Sequence, residues 1–129
     1  MIHAAFITHL QGAGLTAPVK NAFTANPVED YDADFPVVMV YPTQDSFSEN
    51  EADNFSIQQQ TTRIDALIGC LLSDLDTHVE EFRSASQGWG PGGNWDDMEL
   101  VGGNVEGLKG GYIWWRESVT VQRSRRQTL

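Results

Sequence analysis

The chain has 129 residues, of which 40% are hydrophobic, 10% aromatic and 20% charged. That length suits one domain able to bury roughly two-thirds of its unfolded surface, and it argues against a disordered chain, a solenoid or a two-domain enzyme. Eighteen acidic against eight basic residues give a net charge of −10, a poor starting point for bulk nucleic-acid binding.

Ile2, Phe6 and Leu10 recur at helical spacing, with Ala5 and His9 beside them, and Gly12 and Gly14 supply a stop. A short N-terminal helix with one apolar stripe is expected there. Residues 12–34 are rich in Gly, Pro, Asn and Asp and read mostly as loop, with Val19, Ala22 and Phe23 as anchors. Phe35 to Tyr41 is a continuous β-prone run closed by Pro42, apolar on both faces, and so reads as a strand covered on both sides. Residues 43–55 are polar and acidic without period and read as a long projecting loop.

Residues 61–72 carry two patterns. Thr62, Ile64, Ala66, Ile68, Cys70 and Leu72 alternate as a strand face does, while Ile64, Leu67, Ile68, Leu71, Leu72, Leu75, Val79 and Phe82 trace a helical stripe. Gly69 would cost a helix interior about 1 kcal/mol, and Ser73 with Asp76 resembles a capping box. A strand to about Leu72 and a helix from about Asp74 to Ser86 is the preferred division, with one long helix as the alternative. Residues 87–97 form a loop holding Trp89 and Trp95, and Met98 to Val101 begins a short strand. Gly102-Gly103 and Lys109-Gly110-Gly111 read as turns. Tyr112 to Arg123 alternates most clearly of all, with Ile113, Trp115, Val119 and Val121 on one face. The expectation is one α+β domain over residues 1–123, a mostly antiparallel sheet of about four strands on two helices, followed by a flexible basic tail at 124–129.

Charge is unevenly placed. Eight acids and no base lie between Glu29 and Asp53, whereas the chain from Arg116 onward carries a net +3. For one chain alone the first reading is a solvated loop and a frayed terminus; the alternative is that copies of such a chain attract one another head to tail. The single cysteine, Cys70, leaves no internal disulfide and suits a reducing compartment. No apolar run approaches the roughly 20 residues of a spanning helix. The opening residues lack the basic and apolar regions of a signal peptide, so an intracellular, soluble protein is expected.

Signatures of chemistry are sparse. Asp30, Asp32 and Asp34 imitate the opening of a calcium loop, but Phe35 and Tyr41 occupy the positions of the turn glycine and the bidentate glutamate. His3, His9 and His78 have no second ligand at zinc spacing. Cys70 sits in an apolar run, where a free thiol behaves as a small hydrophobe. No serine stands in a G-x-S-x-G setting, and no glycine cluster carries a P-loop lysine. The residue pattern calls for no catalytic group, metal or cofactor, although a small metal-dependent enzyme using a histidine and the acidic loop stands as the alternative from another class. Tyr112 and Trp114 share a strand face and make a candidate intersubunit patch.

The pieces taken together resemble the tail terminator (minor tail, tail-completion) proteins of long-tailed bacteriophages. The resemblance rests on the N-terminal helix, the Pro-Val-Val-Met-Val strand at 36–40, and the acidic, Asn-containing loop Ser46 to Asn54 leading into the Gln-rich strand at 57–60. It continues through a helix ending in Gly88-Trp89, then Leu100-Val101-Gly102-Gly103, then Gly111 to Trp115. The resemblance implies a virion protein, assembled in the host cytoplasm, that forms a hexameric ring on the tail tube. Such a ring halts tube polymerisation and offers a surface to the head connector. DNA would pass through its lumen without specific binding, and no membrane is involved. A neck or head-completion protein is the neighbouring alternative. On this reading Asp45, Glu49, Glu51 and Asp53 of the loop, Tyr112 and Trp114, and Arg123, Arg125 and Arg126 are the expected interface residues.

Overall fold

The computed structural model describes residues 2–21, 35–50 and 55–128. The calcium-like acids at 30–34, the anchors Ala22 and Phe23, and the interface candidates Glu51 and Asp53 lie outside these residues. The element order is α1 (Ile2–Gln11), β1 (Val19–Asn21), β2 (Val37–Phe47), β3 (Phe55–Leu71), α2 (Leu75–Ser86), β4 (Glu99–Lys109) and β5 (Tyr112–Thr128). The fold is α+β: one five-stranded mixed sheet in the order β1-β2-β3-β5-β4, with two helices. The expected mostly antiparallel sheet of about four strands thus has five. The added strand, β1, runs parallel to β2, pairing Val19 with Val38 and Asn21 with Val40. Its three residues are too few to show a period, and only Val19 is buried.

Residues 61–71 are strand. β3 and β5 pair antiparallel along their whole length, from Phe55 with Thr128 to Leu71 with Tyr112, with no shift of register. Alternation then sorts the side chains onto two faces. Ile64, Ala66, Ile68 and Cys70 join Ile113, Val119, Val121, Val38 and Val40 beneath the helices. Phe6, Ile7 and Leu10 of α1 and Val79 and Phe82 of α2 complete that core, and the rings of Phe6 and Phe82 meet edge to face at 6.0 Å. On the opposite face Val37, Met39, Leu67 and Trp114 form a second buried cluster flanked by Phe35 and Tyr41. Both faces of the first half of β2 are thus buried, which is why its sequence is a continuous apolar run.

Glycines decide two close approaches. Gly69 sits beside Trp114 in the ladder, and a Cβ there would run into the rings of Phe35 and Trp114. Those two rings pack edge to face at 4.8 Å, directly over the bare backbone. Gly103 lies inside β4 rather than in a turn, and a Cβ would strike the side chains of Glu117 and Trp115. The turn between β4 and β5 is Gly110-Gly111, both at positive φ (57° and 85°) between the paired Lys109 and Tyr112, the geometry two-residue hairpins favour.

Helix α2 starts behind a short 3-10 turn at Leu72–Asp74, and its cap residue Asp74 makes no side-chain capping bond, so the capping box read from Ser73 and Asp76 does not form. Packing holds the helix instead. Its firmest polar tie is Arg83, whose Nε and Nη2 donate to the two carboxylate oxygens of Glu117 on β5 at 2.8 Å each. Trp115 Nε1 donates to the same carboxylate at 2.9 Å, and Glu117 is fully buried. Trp89, just after α2, stacks on His9 at 5.2 Å and packs on Phe6 at 5.3 Å. His9 Nε2 donates to the Ala85 carbonyl at 2.7 Å, joining α1 to the end of α2.

Candidate assembly surface

The helices cover only part of the sheet. The apolar core ends near Ile64 on β3 and Val121 on β5, yet β3 runs nine residues further and β5 seven, about 23–30 Å of extended chain. With the end of β2 this makes a three-stranded arm projecting from the body. Three features read as separate from sequence merge in it. Residues 43–47 of the expected acidic loop are strand, paired with β3 from Gln44–Arg63 to Phe47–Gln60. The Gln-rich run is the middle strand. The basic tail continues β5 as far as Thr128, pairing Arg125 with Gln58 and Arg126 with Ile57, where a flexible terminus was expected.

Side chains hold this polar arm together in place of a core. Thr62 Oγ1 donates to Asp45 across the β2–β3 ladder. Gln59 Nε2 donates to Gln122 Oε1 at 3.3 Å, and Ser124 Oγ donates to Gln59 Oε1 at 3.1 Å. Gln58 Nε2 donates to the Ser48 carbonyl at 2.9 Å, while Asn50 Oδ1 accepts from the Ile57 amide at 2.8 Å. The base of the arm is braced by the loop after α2. The Arg123 guanidinium lies over the Trp95 ring, 4.4 Å from its centroid, and Nε donates to Gln60 Oε1 at 2.8 Å. Asn94 and Asp96 add bonds to the carbonyls of Ser124 and Gln122, both at 2.8 Å.

The expected interface residues accordingly divide. Asp45, Glu49, Arg123, Arg125 and Arg126 share the arm, and Arg125, Arg126, Asp45 and Glu49 are exposed on it. Arg123 is spent internally, on Trp95 and Gln60. Phe47, 49% exposed, borders a hollow of about 310 Å³ with Ser56, Gln58, Arg125 and Arg126. Tyr112 and Trp114 lie at the other end of β5, and the patch expected from them does not exist at the surface. Trp114 is 1% exposed, and Tyr112 packs on Phe35 with ring centroids 5.7 Å apart. The sequence leaves Trp114 packed under a loop, a helix or a neighbouring subunit; in the structure it is Phe35, Val37, Met39 and Leu67 that pack with it on the sheet face opposite the helices.

Two other surfaces stand out. Between α1 and α2 runs an open groove of about 650 Å³, lined by His9, Leu15, Thr77, Glu80, Glu81 and Ser84. Glu81 accepts from the Thr16 amide and hydroxyl at 2.8 Å each, and those two bonds pull its carboxyl below the usual range. On the edge strand β4, Val101, Val105 and Leu108 are each more than half exposed, a strip that sequence reasoning misses because it ends that strand at Val101.

Burial lifts the Cys70 thiol to about 11, with Asp74 adding to the rise, so at neutral pH it is protonated and a poor nucleophile. Among the described residues no cluster of His, Cys, Asp and Glu has the arrangement of a metal site, and no helix is long and apolar enough to cross a membrane. Neither a protein-family model nor a curated protein matches the chain.

Proposed function

We propose that this chain is a tail terminator subunit. Copies assemble into a ring, six-fold on the family pattern, that caps the tail tube, stops its polymerisation and presents a surface to the head connector. The observation that carries this reading is the arm. The strands that overrun the helices carry mainly polar side chains, among them Asp45, Gln58, Gln59, Gln60, Thr62, Gln122 and Ser124, and add little to the apolar core. Such an extension stabilises an assembly, where a neighbour covers it. The Gln-rich segment named in the resemblance supplies its middle strand, β2 reaches as far as Phe47 of the acidic segment, and the basic tail continues β5.

On this reading the protein works without a catalytic group or cofactor, through contacts with its own copies, the tube protein and the connector, in the virion. The acidic body suits a lumen through which DNA slides, because like charges repel. The test is polymerisation of the tube protein with and without this chain. Tubes of restricted length bearing one capped end are the expected result. Unrestricted tubes with bare ends at a molar excess of the chain contradict the proposal, and binding to the head-side neck alone would move it to a head-completion role.

A further inference from the structure

The outer edge of the sheet is a surface that the arm leaves unused. β4 ends the strand order, and among the described residues no strand pairs with the far side of its eleven residues. Val101, Val105 and Leu108 stand on it 55%, 52% and 60% exposed. Unpaired backbone groups beside apolar side chains make such an edge a template for another strand. We infer that β4 pairs antiparallel with β4 of a second copy of this chain, about a two-fold axis at Asn104. The contact goes beyond the ring reading and does not rest on it.

The sequence of β4, Glu-Leu-Val-Gly-Gly-Asn-Val-Glu-Gly-Leu-Lys, is complementary to itself turned end for end. With Asn104 opposite its own copy, Glu99 meets Lys109 and Leu100 meets Leu108. Val101, Val105 and Glu106 meet Gly107, Gly103 and Gly102, so each larger side chain faces a glycine. Glu99 and Lys109 are exposed and enter no ion pair among the described residues. Opposite residues also share a face, as antiparallel pairing requires. Leu100 and Leu108 pair on β5 with Val119 and Ile113, both in the core beneath the helices, and Glu99 and Lys109 pair with Thr120 and Tyr112 on the other face. A shift of two residues moves Glu99 opposite Gly107 or past the end of the strand, so the charges select this register. The two bulges of β4 ill suit a straight partner strand. Here their extra residues, Val101 and Glu106, lie opposite glycines that leave them room. One surface meeting itself is an isologous contact, which closes at two copies.

The experiment is sedimentation velocity on the full chain and three charge variants, with a crosslink read from a fourth. Glu99→Lys and Lys109→Glu each place like charges across both symmetry-related pairs, and each should weaken pairing about tenfold. The combined variant should restore it. Asn104→Cys reads position without charge. Opposite Cα atoms of an antiparallel pair lie about 4.5–5.5 Å apart, within disulfide reach. Mild oxidation should therefore give covalent pairs and nothing larger on non-reducing electrophoresis, with Cys70 buried and silent. Glu99, Asn104 and Lys109 are all exposed, and a thermal melt checks that each variant keeps the fold. Absence of the covalent pair from folded Asn104→Cys overturns the β4 contact whatever the reversals do. Tube capping by the same variants is scored separately, because it belongs to the ring reading, which stands or falls without β4.

Discussion

Glu117 shows how much one position can hold together. Its carboxylate is fully buried, yet Arg83 and Trp115 give it three donors, and Gly103 on the neighbouring strand leaves the room it occupies. Removing the cation would strand a buried charge, a loss that runs to about 3–5 kcal/mol. Arg83→Met should lower stability by that amount in urea denaturation, and an unchanged midpoint would contradict the role assigned to the pair. The glycines bear on what a sequence can reveal. Gly69 reads there as a burden on a helix, and Gly102-Gly103 as a turn. What both Gly69 and Gly103 do is admit a large side chain from an adjacent strand, and a sequence does not say which ring lies above which backbone. From sequence Trp114 reads as covered by a loop, a helix or a neighbouring subunit, and alternation, which assigns a face, does not say which of these covers it.

Among the elements, legibility follows burial. The strand at 112–123, the N-terminal helix and the helix to Ser86 are readable because each sets an apolar face against a polar one. The arm's outer strands at 43–47 and 124–128 are not, because polar residues there erase the period of two and a strand resembles a loop or a tail, while the Gln-rich strand at 57–60 enters through the family resemblance. β4 reads as too short because its bulges, at Leu100/Gly102 and Val105/Gly107, interrupt the alternation. Two predictions belong here. Deleting residues 124–129 removes one strand's end from the arm and none of the core; melting should remain cooperative while assembly is lost, and intact assembly would show the arm's end to be dispensable. The tie between Thr16 and Glu81 should make the packing of the α1–β1 connection on α2 pH-dependent. A carboxyl held below its ordinary 4.5 contributes stability that is complete above that value and is lost as pH falls through the lower, folded-state value. Acid titration of thermal stability should therefore fall less steeply in Glu81→Gln than in the unmodified chain, and parallel curves would contradict this.

The whole molecule is an acidic body with a projecting arm that carries charges of both signs, Asp45 and Glu49 beside Arg125 and Arg126, and the proposed function belongs to that arm rather than to any pocket. Charge segregation is visible in the sequence, as eight acids between Glu29 and Asp53 and a net +3 from Arg116 onward. The convergence of the acidic stretch, the glutamines and the arginines on one projection is not, because it depends on pairings between residues more than sixty positions apart, such as Gln58 with Arg125. The proposed function depends on the chain building a closed ring. Native mass spectrometry across concentration and salt, paired with negative-stain images, is the decisive measurement. A discrete closed oligomer with a central hole, dissociating as salt rises, is expected; a strict monomer at every concentration, alone and in the presence of tube ends, would contradict it.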